Sequence, residues 1–144
     1  MSVSKRTKSN NLKSITFDID SFSANLERRC PEIVFAYLLG SATEGTIAPS
    51  SDLDLAVFID EKPTMDTYQR IIDATEPYAG GAEIDLGFLK NNEPVYRFEA
   101  LKGRLLFTRN QETWLRFYSL TCREYEHWLF HYEKQRRYRI EYGA

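Results

Sequence analysis

Two apolar stretches near the middle of this 144-residue chain, IVFAYLL at 33–39 and DLDLAVFID at 52–60, constrain its fold more than any other feature. Continuous apolar runs of this length, rich in Val, Ile and Phe, read as strands buried on both faces, so the chain must supply covering layers on each side of them. The segment between them, Gly40 to Ser51, is small and polar and carries Pro49, which predicts a loop with at most one helical turn. The second run nevertheless opens on two acids. Side chains two apart on a strand point the same way, so Asp52 and Asp54 project from one face while Leu53 and Leu55 enter the other.

The covering layers are legible as amphipathic helices. Phe22, Leu26 and Cys30 recur at four-residue spacing before Pro31 and predict a helix at about 20–30, preceded by a brief alternation at Ile15, Phe17 and Ile19 that reads as a strand or a lead-in to the helix. Met65, Tyr68, Ile71, Ile72 and Ala74 share one face of a helix at 64–78, which Gly80 and Gly81 stop. EIDLGFL at 83–89 alternates, with Ile84, Leu86 and Phe88 on one face and Glu83, Asp85 and Gly87 on the other, and predicts a third strand. Asn92 as cap and Pro94 in the first turn start a helix that runs to about Leu101. RLLFT at 104–108 is a short strand, and from Asn110 onward the pattern is one long helix with Trp114, Tyr118, Cys122, Tyr125, Trp128 or Leu129, and Tyr132 along an apolar stripe.

The size suits one domain, with residues 1–13 expected as a flexible basic tail and 14–144 as the folded unit. With 42% hydrophobic and 28% charged residues, the composition excludes a disordered chain. No apolar stretch approaches the roughly 20 residues of a membrane helix. The amino-terminal segment lacks the apolar run of a signal peptide, so a cytoplasmic location away from membranes is expected. Cys30 and Cys122 are too few for a disulfide framework and too far apart for a metal pair. A net charge of −2 gives no general nucleic-acid footprint, and no direct nucleic-acid partner is expected.

Two neighbouring carboxylates in a partly buried strand repel each other and oppose each other's ionisation, which makes Asp52 and Asp54 costly without a cation. Mg²⁺ removes that cost, because it takes one or two carboxylates together with substrate phosphates. If the third strand pairs with the second, Asp85 joins them, and three convergent carboxylates suit phosphoryl or nucleotidyl transfer. An EF-hand fails, since Leu55 and Ala56 stand where its loop needs an oxygen ligand and a glycine. Gly40 and Ser41, at the end of the first buried strand, offer close backbone approach, an amide and a hydroxyl to phosphate oxygens. Asp85 is the candidate general base toward an incoming hydroxyl.

The stretch GSATEGTIAPSSDLDLAVF, with Gly-Ser followed after ten residues by Asp-x-Asp, resembles the signature of the DNA polymerase β-like nucleotidyltransferases. Its small size resembles their minimal branch and, within it, the MntA-type antitoxins of HEPN/MNT toxin–antitoxin pairs. The resemblance implies an α+β fold, with a mixed β-sheet flanked by helices and a long C-terminal helix. It implies Mg²⁺ and ATP held by Gly40, Ser41, Asp52 and Asp54, with Asp85 as base. It further implies transfer of AMP to a tyrosine hydroxyl of a HEPN ribonuclease toxin, in a hetero-oligomer that silences the toxin. One position departs from the pattern: Glu44 stands where members often carry a basic residue, so another cation substitutes or the triphosphate is held less tightly. A nucleotidyltransferase for a small antibiotic-like acceptor and an antitoxin acting by binding alone are the alternatives. The aromatics of the C-terminal helix are expected mainly in the core, with their surplus meeting a partner.

Overall fold

The computed structural model describes residues 14–142; the expected basic tail at 1–13 lies outside the described residues. In chain order the elements are β1 (Ile15–Thr16), α1 (Ile19–Arg29), β2 (Ile33–Leu39), a 3₁₀ turn (Gly40–Glu44), β3 (Thr46–Ile47), β4 (Leu53–Ile59), α2 (Met65–Ala79), β5 (Ile84–Phe88), α3 (Pro94–Leu101), β6 (Arg104–Thr108) and α4 (Gln111–Tyr142). The strands at 33–39 and 104–108 match the residue pattern to the residue. Those read at 52–60 and 83–89 are each one residue shorter at both ends.

The main sheet has the order β5-β4-β2-β6. β2 pairs antiparallel with both β4 and β6, whereas β4 and β5 are parallel and are joined through α2, the crossover that parallel neighbours require. The sheet is therefore mixed. A second, two-stranded ladder of β1 and β3 sets Ile15 opposite Ile47 and ties the polar segment after β2 to the chain ahead of α1.

Both faces of the two central strands are buried, as their unbroken apolar runs require. On one side Ile33, Ala36 and Leu38 of β2 and Leu53, Leu55 and Val57 of β4 pack with Phe22 and Leu26 of α1 and Ile71 and Ala74 of α2. On the other, Phe35 and Tyr37 of β2 and Ala56 and Phe58 of β4 pack with Ala100 of α3 and Phe117 of α4. Phe35 stacks on Phe58 at 4.8 Å between ring centres and meets Phe117 at 5.2 Å, which fastens α4 to the sheet. Trp114 Nε1 donates to the Tyr37 hydroxyl at 2.8 Å. Just before α4, the Arg109 side chain donates to the carbonyls of Glu27 and Cys30 at the end of α1 and of Ile33 at the start of β2, tying the three elements together. Cys30 is buried, and burial pushes its thiol up to about 11, so it is an inert packing group.

Four readings of the helices need correction. Ile19 is already helical, with Asp18 as the cap accepting from the Ser21 amide at 3.2 Å. On α2, Thr64 caps and Ile71 and Ala74 face the core, but Met65 and Tyr68 in the first turn are exposed. The cap residue of α3 is Glu93 rather than Asn92. Asn92 serves the same turn by donating to the Phe88 carbonyl and accepting from the Glu93 amide. On α4 the buried positions are Phe117 and Thr121, while Tyr118, Trp128 and Tyr132 of the expected stripe are exposed. Tyr118 lies off the face that Phe117 and Thr121 bury; for Trp128 and Tyr132 the reason is length, since at about 1.5 Å per residue the 32-residue helix outruns the sheet and its second half is exposed.

Phe117→Ala is expected to cost about 3 to 5 kcal/mol, because it removes the ring that joins α4 to Phe35 and Phe58. A lowered denaturation midpoint, together with faster proteolytic cutting within α4, checks this; an unchanged midpoint contradicts it.

Candidate active site

Strand register assembles the site. The antiparallel pairing of β2 and β4 sets Leu39 opposite Asp54, so the chain leaves β2 at Gly40 directly beside that carboxylate. The parallel pairing of β4 and β5 sets Asp85 opposite Asp54 on its other side. Asp52 lies two residues before Asp54 and shares its face. Carboxylate oxygens of Asp52, Asp54 and Asp85 consequently lie within 4.8 Å of one another. Asp52 and Asp54 are half-buried and Asp85 is exposed.

Gly40 is required where it stands. Its φ is +73°, a left-handed conformation that disfavours side chains, and a Cβ there would lie 3.0 Å from Asp54 Oδ2. The turn after it places Ser41, half-buried, with its hydroxyl oxygen accepting from the Ala48 amide at 3.4 Å, which leaves the hydroxyl hydrogen available to donate. Gly45, also at positive φ, ends the turn, and its carbonyl accepts from the Phe17 amide at 2.8 Å. Glu44 is exposed at the end of this turn. Ser50 adopts φ +63°, so the segment entering Asp52 also carries a non-glycine residue in the left-handed region, a strain of order 1–3 kcal/mol that collects at functional sites.

Electrostatics single out Asp54. Burial pushes its carboxyl above the usual carboxylate range, and the negative charges of Asp85 and then Asp52 push it further, as does a hydrogen bond with Asp85 that favours the protonated form. Two ionised carboxylates as close as Asp52 and Asp54 repel by roughly 3 kcal/mol at an effective dielectric of about 20. The charges that act on Asp54 are of its own sign, and the donors are all hard oxygens. That is the chemistry of a divalent-cation site, and Mg²⁺ fits it.

Residue reading missed one side chain here, Tyr96 of α3. Its ring reaches across the sheet face so closely that a Cβ on Gly87 would lie 1.9 Å from its hydroxyl oxygen. Burial pushes its phenol above the usual tyrosine range, and so do the negative charges of Asp85 and Asp54, so it keeps its proton. The available signal was Gly87 itself, since a glycine inside a strand marks close approach by another group. His127 and His131, four apart on α4, stack edge to face at 4.3 Å and lie in a different place, in a groove with Arg97, Arg123 and Trp128.

The structure brings together a two-carboxylate strand, a third carboxylate on its parallel neighbour and a glycine-serine turn beside them, and residues 23–112 match the family model of polymerase β-type nucleotidyltransferases. The chain belongs to that family and is a nucleotidyltransferase. No curated protein matches its sequence. Among solved structures it is similar to MntA-type antitoxins. A mutant form of the MntA–HpeT toxin–antitoxin pair aligns with TM-score 0.65 at 19% identity, over 86% of this chain and 96% of that one. A toxin–antitoxin structure with AMP-PNP aligns with TM-score 0.63 at 22% identity, over 85% of this chain and 95% of that one. The complex of a tri-AMPylated Shewanella oneidensis HEPN toxin with its MNT antitoxin aligns with TM-score 0.59 at 18% identity, over 85% and 92%. At these identities the likeness establishes the fold: α+β, a mixed sheet with flanking helices and a long C-terminal helix. No helix among the described residues is long and apolar enough to cross a membrane.

The Asp54 shift has a stability consequence. A carboxyl raised in the folded state holds its proton more tightly there than in the unfolded chain. Its ionisation therefore costs stability as pH rises past the ordinary carboxylate value, and the full cost is present above the raised value. Asp54→Asn is expected to melt at a higher temperature than the parent protein at neutral pH without divalent cations. The advantage should fade as pH falls toward about 4. Thermal melts across that range check this, and a less stable variant at neutral pH contradicts it.

Proposed function

We propose that this protein is an antitoxin that transfers AMP from Mg-ATP to a tyrosine hydroxyl of a HEPN ribonuclease toxin. The observation that carries the reading is the carboxylate triad itself, in which Asp52, Asp54 and Asp85 converge beside the Gly40-Ser41 turn. Supporting it are the AMP-PNP bound in one structural neighbour and the tri-AMPylated HEPN toxin bound in another.

In this reading Asp52, Asp54 and Asp85 hold Mg²⁺, and Gly40 and Ser41 hold the triphosphate through backbone amide and hydroxyl. The cation, when bound, supplies neutralisation of the charge that develops on the phosphates. Asp85, exposed at the rim, accepts the proton of the tyrosine hydroxyl. The hydroxyl oxygen forms a bond to the α-phosphorus, the bond from that phosphorus to the β-phosphate's bridging oxygen breaks, and pyrophosphate leaves. The exposed aromatics of α4, Trp128 and Tyr132 among them, give the toxin its docking face: they stack in series on the half-buried Tyr125, with 5.8 and 5.4 Å between successive ring centres. Tyr and Trp are favoured anchors at such interfaces. The reading places the enzyme with its toxin in the cytoplasm.

Incubating the purified protein with Mg²⁺, ATP labelled at the α-phosphate and its HEPN partner tests this directly. Label is expected on a toxin tyrosine, falling by about 100-fold or more in Asp54→Ala. A stable unlabelled complex would show an antitoxin that works by binding, and label on a small aminoglycoside-type acceptor instead would show the antibiotic-modifying class.

A further inference from the structure

We propose that Tyr96 is the acceptor-side contact of the transfer site: its hydroxyl hydrogen-bonds the incoming acceptor oxygen and holds it against Asp85. The inference rests on the transfer reading given above and goes beyond it by assigning a residue outside the nucleotide signature.

Three observations carry it. First, β5 gives up a side chain to admit the phenol. Residue 87 lies two after Asp85 and so on the same face, and it is a glycine whose missing Cβ would fall 1.9 Å from Tyr96 Oη and 2.8 Å from Cζ. Second, the ring is only half-buried at the edge of the cluster formed by Phe35, Tyr37 and Phe117, so packing alone does not account for a hydroxyl there. Phenylalanine would fill the same space without taking a polar group out of water beside carboxylates. Third, α3 rises from the end of β5 and covers the sheet on the face that carries Asp54 and Asp85, while Gly40 and Ser41 stand on the opposite side of Asp54. The nucleotide and the acceptor must approach from different sides for in-line displacement. Gly40 and Ser41 occupy the nucleotide's side, and Tyr96 borders the other.

A neutral phenol suits this place as a donor. When the acceptor hydroxyl yields its proton to Asp85 and its oxygen bonds to the α-phosphorus, Tyr96 keeps its own proton and donates a hydrogen bond throughout. Its contribution is alignment of the acceptor, so its removal should slow turnover and leave nucleotide affinity alone.

The test compares the full-length protein with Tyr96→Phe in the labelling assay, with thermal melts to show that both fold equally well. Tyr96→Phe should lower the transfer rate roughly 10-fold to 100-fold, the usual worth of a hydrogen bond to a developing charge, with KM for ATP unchanged. Gly87→Ala, which forces the ring aside, should reproduce the loss. Equal rates for Tyr96→Phe and parent would overturn the assignment, and so would AMP found on Tyr96 itself, which would make it an acceptor rather than a contact. A second readout needs no transfer. In protein carrying ¹³C-labelled tyrosine, the Tyr96 resonance, identified by its loss in Tyr96→Phe, should shift when Mg²⁺ and a non-hydrolysable ATP analogue are added. A parent protein that transfers nothing while this resonance shifts counts against the transfer reading; a resonance that stays put counts against Tyr96.

Discussion

Repulsion among carboxylates on a strand that must be buried is the constraint around which the rest of the structure is arranged. β4 is needed at the centre of the sheet, with Leu53, Leu55 and Val57 sealing one layer and Ala56 and Phe58 the other. Yet its first residues place Asp54 in a half-buried position beside two further acids, and its carboxyl answers by moving above the ordinary range. A fold that keeps such an arrangement gives up stability for it, as functional sites do and packed strand ends do not.

The sheet holds this arrangement rigidly because each neighbour of Asp54 comes from a different hydrogen-bonded register. Leu39 is fixed opposite it by the β2 ladder and Asp85 by the β5 ladder, so Gly40 and Asp85 flank it without depending on a loop. The side of Asp85 away from Gly40 is bordered by a helix, and α3 brings Tyr96 there through the space that Gly87 leaves open. Precision of this kind is what positioning catalysis needs, since small displacements of reacting groups cost large factors in rate.

Much of this was legible in the residues. Unbroken apolar runs marked both central strands, alternation placed Asp85 on the polar face of β5, and the spacing from Gly40 and Ser41 to Asp52 and Asp54 pointed to residues that the structure brings together. What escaped was set by tertiary geometry. Tyr96 comes from another element, and only the glycine opposite it leaves a trace. Along α4 an aromatic pattern continues past the last residue that has anything to pack on. Periodicity reports a face but not where the sheet beneath it ends, so Trp128 and Tyr132 read as core and stand exposed, while Tyr118 lies off the buried face that runs through Phe117 and Thr121. The cap of α3 moved by one residue because Asn92 turns its side chain to the Phe88 carbonyl and the Glu93 amide.

The molecule thus divides its tasks between a chemical end, where the sheet gathers acids around Asp54, and an extended helix whose stacked aromatics face outward. The central claim is that the acids are made for a cation that brings phosphates with it. Calorimetric titration of the purified protein with a non-hydrolysable ATP analogue, with Mg²⁺ and with the cation chelated away, tests it most directly. Binding should be strong with Mg²⁺ and fall at least about 10-fold without it, because the triad then repels the triphosphate; binding that is equally tight in the absence of any divalent cation would contradict the account.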